Sequence, residues 1–130
     1  MSDYTVKRID EMEATFGGGL RRARASLGAN SFGMAVEEFP PGFDRYPDHD
    51  HLHDRQEEIY VVLAGSAAMT VDGEEFAIDT ETMVRVGPSA KRTLVAGPDG
   101  LRLLVLGGVP GEVYEAPEWS ESGAPDPMAS

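Results

Sequence analysis

Three histidines, which are all the histidines of the chain, lie at alternate positions: His49, His51 and His53. Glu58 follows shortly after them and opens an apolar run that ends at Gly65. Side chains two residues apart on a strand point to the same side, and a hairpin would bring Glu58 back beside the imidazoles. Neutral imidazole and carboxylate together suit Zn, Fe, Mn or Ni better than Ca or Mg. The spacing therefore predicts one divalent metal site with His49, His51, His53 and Glu58 as candidate ligands.

The surroundings of the histidines leave two interpretations open. Asp48, Asp50 and Asp54 are interleaved with them and can orient the ring nitrogen that does not bind the metal. Alternatively, the segment is a solvated acidic loop with surface histidines. Three ligands from one strand are hard to place around one ion, so at most two of the histidines are expected to bind it.

The composition limits the class of protein. A chain of 130 residues favours one compact domain, and the absence of cysteine excludes disulfides and thiol nucleophiles. The formal charge of −12 opposes binding to nucleic acid. Arg21, Arg22 and Arg24 form the one basic cluster, which is interpreted as a solvated face. No apolar stretch has membrane-spanning length and the first residues are polar, so a cytoplasmic location without membrane contact is expected.

Fifteen glycines and nine prolines separate short apolar runs, which predicts an all-β sandwich or barrel. Asp72-Gly73 favours a tight hairpin turn, and residues 97–100 are interpreted as a second turn between two strands. Leu20, Ala23 and Leu27 recur at helical spacing and predict a short helix that ends at Gly28. The predicted strands are residues 4–9, 31–36, 58–64, 67–71, 74–78, 82–86, 92–95 and 101–106.

The pattern His51-x-His53-x₄-Glu58-x₆-Gly65 resembles the first sequence motif of the cupin superfamily. Pro41-Gly42 upstream is also similar to that of a small single-domain cupin. The resemblance implies an all-β double-stranded β-helix, or jelly-roll barrel, with a metal inside its mouth. The expected division is an N-terminal extension with a short strand and helix (residues 1–30), a barrel (31–109) and a proline-rich tail (110–130). The tail is expected to pack through Val113, Tyr114 or Trp119 and then to become disordered.

This chain departs further from the second sequence motif of that family than from the first. An ungapped alignment puts Arg92 where the family has its last metal-ligating histidine. A guanidinium has no lone pair for a metal, so an inward Arg92 is expected to contact Glu58 or a bound anion. Arg92 and Tyr60 are accordingly the predicted ligand-binding residues. The alternative is that Lys91-Arg92 lies on a solvated loop.

Two functions remain open at this point. The first is a single-domain cupin that binds a divalent metal, a small polar ligand, or both, with the question of catalysis undecided. The second is a non-catalytic anion-binding or regulatory cupin without metal, in which Arg92 replaces the usual histidine. Small cupins commonly pair, so a homodimer is expected, and strand 4–9 is the candidate for exchange between subunits.

Overall fold

The computed structural model describes residues 2–129, which are built mainly from antiparallel β-strands. Within these residues the strands are β1 (Ala14–Thr15), β2 (Leu20–Arg21), β3 (Gly33–Phe39), β4 (Glu57–Val71), β5 (Glu74–Asp79), β6 (Met83–Val86) and β7 (Arg92–Gly108). The helical segments are α1 (Ala23–Leu27) and 3₁₀ turns at Ile9–Glu11, Phe16–Gly18 and Glu118–Ser120. Neighbouring strands follow the order β1, β2, β3, β7, β4, β5, and β6 also pairs with β4.

Strands β4 and β7 pair along most of their length and bend at the same level. Gly65 has a φ of 80° there, and a Cβ on it would overlap the carbonyl oxygen of Gly100. Opposite this bend, residues 97–100 bulge out of β7. The predicted turn between two separate strands at 97–100 is therefore wrong, because these residues form a bulge within the continuous strand β7.

The bends fold the two halves of β4 and β7 over a single apolar core. Tyr60 and Val62 come from the first half of β4, Met69 comes from the second half, and Leu94 and Leu103 come from the two halves of β7. Each of these side chains is at most 3% exposed. Buried and more open positions alternate along both strands, as expected for strands that curve around one core. The predicted all-β jelly-roll barrel is confirmed.

The hairpin between β4 and β5 is also confirmed. Asp72 and Gly73 have φ values of 48° and 84°, as a turn with two left-handed residues requires. The turn pairs Val71 with Glu74 and fixes the register of both strands.

The N-terminal extension differs in part from the expectation. The predicted strand 4–9 is wrong: residues 2–8 have no regular structure, and the side chains of Tyr4 and Val6 are exposed. Alternating apolar residues give only a propensity, and no described strand pairs with this segment. The short helix does form, as α1, and ends at Gly28 in the left-handed conformation. None of the helices within residues 2–129 has the length and apolar character needed to cross a membrane.

After β7, residues 109–129 run back over the N-terminal extension. Trp119 packs edge-on against Phe16, with ring centroids 5.1 Å apart. The Asp126 carboxylate accepts backbone N–H groups of Phe16 and Gly17 at 3.0 and 2.8 Å. Val113 is 86% exposed and takes no part in this packing. The contacts extend to Asp126, beyond the point where the sequence predicts packing to end.

Candidate metal centre

The histidine segment, residues 49–53, lies beside β7 and beside the loop that precedes β7. His49 exchanges two backbone hydrogen bonds with Arg92, at 2.9 and 3.1 Å, and His51 N–H donates to the Pro88 carbonyl at 2.9 Å. This extended stretch ends at His51, whose carbonyl accepts the N–H of Arg55 at 2.7 Å. The chain therefore turns immediately after His51.

One donor atom from each of His49, His51 and Glu58 lies within 4.8 Å of the others. His51 Nε2 is 3.2 Å from Glu58 Oε1. Donor atoms held at about 2.0–2.1 Å by one tetrahedral zinc ion are about 3.3–3.4 Å apart. The spacing of this pair therefore suits two ligands of the same ion.

The hydrogen bonds of the two imidazoles select the nitrogen that is free to bind a metal. His51 Nδ1–H donates to the Asp54 carboxylate at 3.0 Å, and His49 Nδ1–H donates to the Pro47 carbonyl at 2.9 Å. In each neutral ring the lone pair is then on Nε2. Asp54 is one of the acids expected from the sequence to orient a histidine.

The surroundings of His51 Nε2 test whether a metal fits this site. This atom is buried and has no hydrogen-bond partner among residues 2–129, since its approach to Glu58 lacks hydrogen-bond geometry. In a neutral ring the lone pair of this nitrogen is therefore buried without a partner, and a cation bound to both Nε2 and Glu58 Oε1 would satisfy it. The contact with Glu58 raises the pKa of His51, which is the same preference for positive charge. The donor set fits a divalent cation.

Two side chains inside the barrel hold Glu58. Tyr60 O–H donates to Glu58 Oε1 at 2.7 Å, and Arg92 Nη1 lies 3.5 Å from the same atom. Arg92 is fully buried and also donates to the Gly87 carbonyl at 2.7 Å. Burial alone would raise the pKa of Glu58, but the contacts with His51 and Tyr60 and the charge of Arg92 bring it below its usual value. The expected contact between Arg92 and Glu58 is confirmed.

The register of β4 is as expected. Glu58 lies on the buried side with Tyr60, while the side chain of Glu57 is 38% exposed and bonds to Arg85 at 2.8 Å. The predicted position of Glu58 beside the imidazoles is confirmed for His51, and Glu57 lies on the opposite face of the strand.

His53 is not brought into the group that contains Glu58. Its side chain is 76% exposed, and it belongs to a second group with His51 and Asp54. The expectation of three histidines on one face assumed an extended segment, and the turn after His51 breaks that alternation. The predicted close approach of His53 to Glu58 is therefore wrong.

A cavity of about 200 Å³ opens beside His51 and Glu58. Its walls come from β3, β4, β7, the histidine segment, the N-terminal extension and the chain after β7. Tyr60 and Arg92 do not line it, because both lie beneath Glu58 in the core. Their predicted role in binding a ligand stays a prediction. The charged and aromatic lining residues are Arg22, Arg24, Glu37, His51, His53, Asp54, Glu58, Tyr114 and Trp119.

Sequence reasoning missed three charged residues of this cavity. Glu37 lies on β3, and burial raises its pKa to about 8, with the charge of Glu58 adding to the effect. Arg22 and Arg24 are 3% and 5% exposed, so two of the three arginines interpreted as a solvated face are buried. The one signal in the sequence was compositional: residues 1–30 carry a net charge of +1, whereas residues 31–130 carry −13.

Comparison with known proteins identifies the fold. No protein-family model matches the sequence, and no curated protein does. A cupin protein from Bacteroides fragilis has a TM-score of 0.70 and 22% identity, over 90% of this chain and 93% of that one. An RmlC-like cupin from Shewanella frigidimarina has a TM-score of 0.64 and 19% identity, over 86% and 95%.

A third match is a sugar phosphate isomerase from a cupin superfamily, from Silicibacter pomeroyi. Its TM-score is 0.64 at 17% identity, over 79% of this chain and 74% of that one. At these identities the likeness establishes the architecture and leaves the chemistry to the site. The chain has the fold of a small single-domain cupin.

Proposed function

We propose that this cupin binds one divalent metal ion through His49, His51 and Glu58 and takes a small molecule into the adjoining cavity. The observation that carries the proposal is the buried Nε2 of His51, which faces a carboxylate oxygen at 3.2 Å without a hydrogen bond. Asp54 and Tyr60 support the two ligands from behind, as outer partners do in metal sites. Imidazole and carboxylate donors suit Zn, Fe, Mn or Ni.

Three protein ligands leave coordination positions for water or a ligand. A metal bound there would polarise an oxygen of that molecule as a Lewis acid. His51 and Glu58 line the cavity, so a bound molecule reaches the metal side directly. The fold hosts many reactions, one neighbour being a sugar phosphate isomerase, and it does not select among them.

A second candidate function is a metal-free protein that binds a small anion. The buried guanidinium of Arg92, 3.5 Å from Glu58, favours it, because this positive charge competes with a cation for the carboxylate. A protonated His51 then takes the place of the metal. The two functions differ in a measurable property, which is stoichiometric metal affinity.

Protein purified without a histidine tag should take up one zinc or manganese ion per chain in calorimetry. His51→Ala should weaken zinc affinity at least about 100-fold, on the order of 2.7 kcal/mol. The matched control is His53→Ala, whose exposed ring is outside the Glu58 group and should matter about twofold or less. Equal losses in both variants would move the site to His51, His53 and Asp54. Failure of the wild-type protein to bind zinc would favour the metal-free function.

Arg92→His separates the two functions further. It removes the competing charge and adds the ligand that the cupin pattern has at this position. Zinc affinity should rise tenfold or more, about 1.4 kcal/mol. An unchanged affinity in a variant with a wild-type circular dichroism spectrum would mean that residue 92 does not influence the metal.

We also propose a cytoplasmic homodimer. The exposed apolar side chains of Tyr4, Val6 and Met83 are candidates for a subunit contact. Exchange of strand 4–9 is not part of this proposal, since the segment forms no strand. A sedimentation mass of one chain at micromolar concentration would refute the dimer.

A further inference from the structure

The N-terminal extension contributes two buried arginines to the cavity. Arg22 and Arg24 both line it and are 3% and 5% exposed. Arg21, the last residue of β2, behaves differently: its guanidinium contacts Glu38 and the Met12 carbonyl and does not line the cavity. The two buried arginines line the same cavity as His51.

The partners of these arginines leave donors unused. Arg24 Nη1 donates to the Ala29 carbonyl at 3.0 Å, and its Nη2 lies 2.9 Å from a Glu121 oxygen. Arg22 donates to the Ala124 carbonyl at 2.8 Å and pairs with Glu13. The Nε of each arginine is buried and has no hydrogen-bond partner within residues 2–129. Unsatisfied donors of this kind are rare and costly, and a ligand acceptor is one way to satisfy them.

We propose that Arg24, assisted by Arg22, receives the carboxylate of a small monocarboxylic acid whose other end reaches His51 and Glu58. The inference rests on the proposed function, because it names the class of molecule that the cavity accepts. A guanidinium presents a planar fork of N–H donors that matches a carboxylate. The carboxylate would thus be bound on the wall formed by the extension, and the reactive part of the molecule on the metal side.

Charge favours a single negative charge over two. Glu13 and Glu121 already pair with the two arginines from the solvent side, with side chains 42% and 54% exposed. Asp54 and Glu58 also line the cavity and repel further negative charge. A dianionic phosphate ester, with two negative charges, would be repelled more strongly than a monocarboxylate.

The volume limits the size of the acid. The cavity volume of about 200 Å³ is below that of pockets which hold drug-sized ligands. Pockets for drug-sized ligands measure about 300–1,000 Å³. Acids of two to six carbons are therefore the appropriate class to test.

Trp119, the one tryptophan of the chain, lines the cavity and gives a binding signal that does not depend on activity. Tryptophan fluorescence of the full-length wild-type protein, with and without one equivalent of zinc, would be titrated with aliphatic carboxylates of two to six carbons. Each acid would be paired with its uncharged amide, for example lactate with lactamide. At least one acid should bind tenfold or more tightly than its amide. The inference would be overturned if every acid bound no more tightly than its amide. It would also be overturned if inorganic phosphate bound more tightly than every acid.

Two substitutions assign the selectivity to Arg24. Arg24→Gln should weaken binding of the best acid at least tenfold and leave binding of its amide unchanged, while Arg24→Lys should retain part of the preference. Arg21→Gln is the matched control and should leave both titrations unchanged. An equal loss for acid and amide in Arg24→Gln would assign Arg24 to anchoring Glu121 only and overturn its role in binding.

The titrations with and without zinc separate this inference from the proposed function. Acid selectivity without any zinc affinity would refute the metal site and retain the carboxylate site. Stoichiometric zinc binding with no preference for acids would do the reverse.

Discussion

The two walls of the cavity are held in different ways. On the barrel wall, Glu58 is supported by Tyr60 and Arg92, whose side chains are buried at 1% and 0% exposure. On the extension wall, Arg24 is held by a backbone carbonyl and by Glu121, whose side chain is half exposed. We therefore expect the barrel wall to lose its structure only when the barrel core unfolds. The extension wall depends on docking of residues 109–129, which we expect to open at a lower free energy.

The largest expected effect concerns the barrel. Leu103 is fully buried among both halves of the core, so Leu103→Ala should lower the free energy of unfolding by about 3 kcal/mol. Leu52→Ala is the control, since Leu52 is 61% exposed and its loss should cost below about 0.5 kcal/mol. Urea denaturation gives both values. Equal midpoints for the two variants would mean that the β4–β7 core does not support the site.

A smaller and local effect is expected at the extension wall. Trp119→Leu removes the edge-on contact with Phe16, worth about 1 kcal/mol. Hydrogen exchange in residues 109–129 should accelerate about fivefold, while exchange in β4 and β7 stays unchanged. A loss of global stability as large as that of Leu103→Ala would show that the two walls unfold as one unit and would remove the distinction.

The smallest effect is a pH dependence of the same docking. Hydrogen bonds from the backbone N–H groups of Gly17, Met128 and Phe16 lower the pKa of Asp126. A lowered folded-state pKa stabilises docking fully above the ordinary value of about 3.9 and loses this contribution as the pH falls through the lowered value. Trp119 fluorescence should therefore change in acid before the circular dichroism of the barrel does. In Asp126→Asn this early change should already be present at pH 7 and lose its pH dependence.

Local signals predicted the parts of the fold that depend on neighbouring residues. Asp72-Gly73 forms the expected turn because both of its left-handed conformations are set within two residues. Residues 97–100 contain equally strong turn formers but make a bulge, because their conformation is set by the bend of β4 at Gly65. The amino-acid sequence of the segment is compatible with either structure, and only the paired strand distinguishes them.

The same limit explains the candidate site. Glu58 was predicted correctly because strand alternation and the following apolar run both place it inward. His53 was misplaced, since Arg55 adopts a φ of 59° without any glycine to announce a turn. Arg22 and Arg24 are buried by a segment about a hundred residues away in the chain, which no local pattern reveals.

The long ladder between β4 and β7 also differs along its length in the entropic cost of forming each pair. Val71 pairs with Arg92, whereas Glu57 pairs with Gly108, so the sequence separation grows steadily along the ladder. The entropic cost of closing a loop rises with this separation, so within the ladder the pairs near Val71 cost less to close than those near Glu57. Glu58 lies at the costlier end, next to Gly107. A metal ion that binds the Glu58 carboxylate would therefore stabilise the end of the ladder that is harder to close.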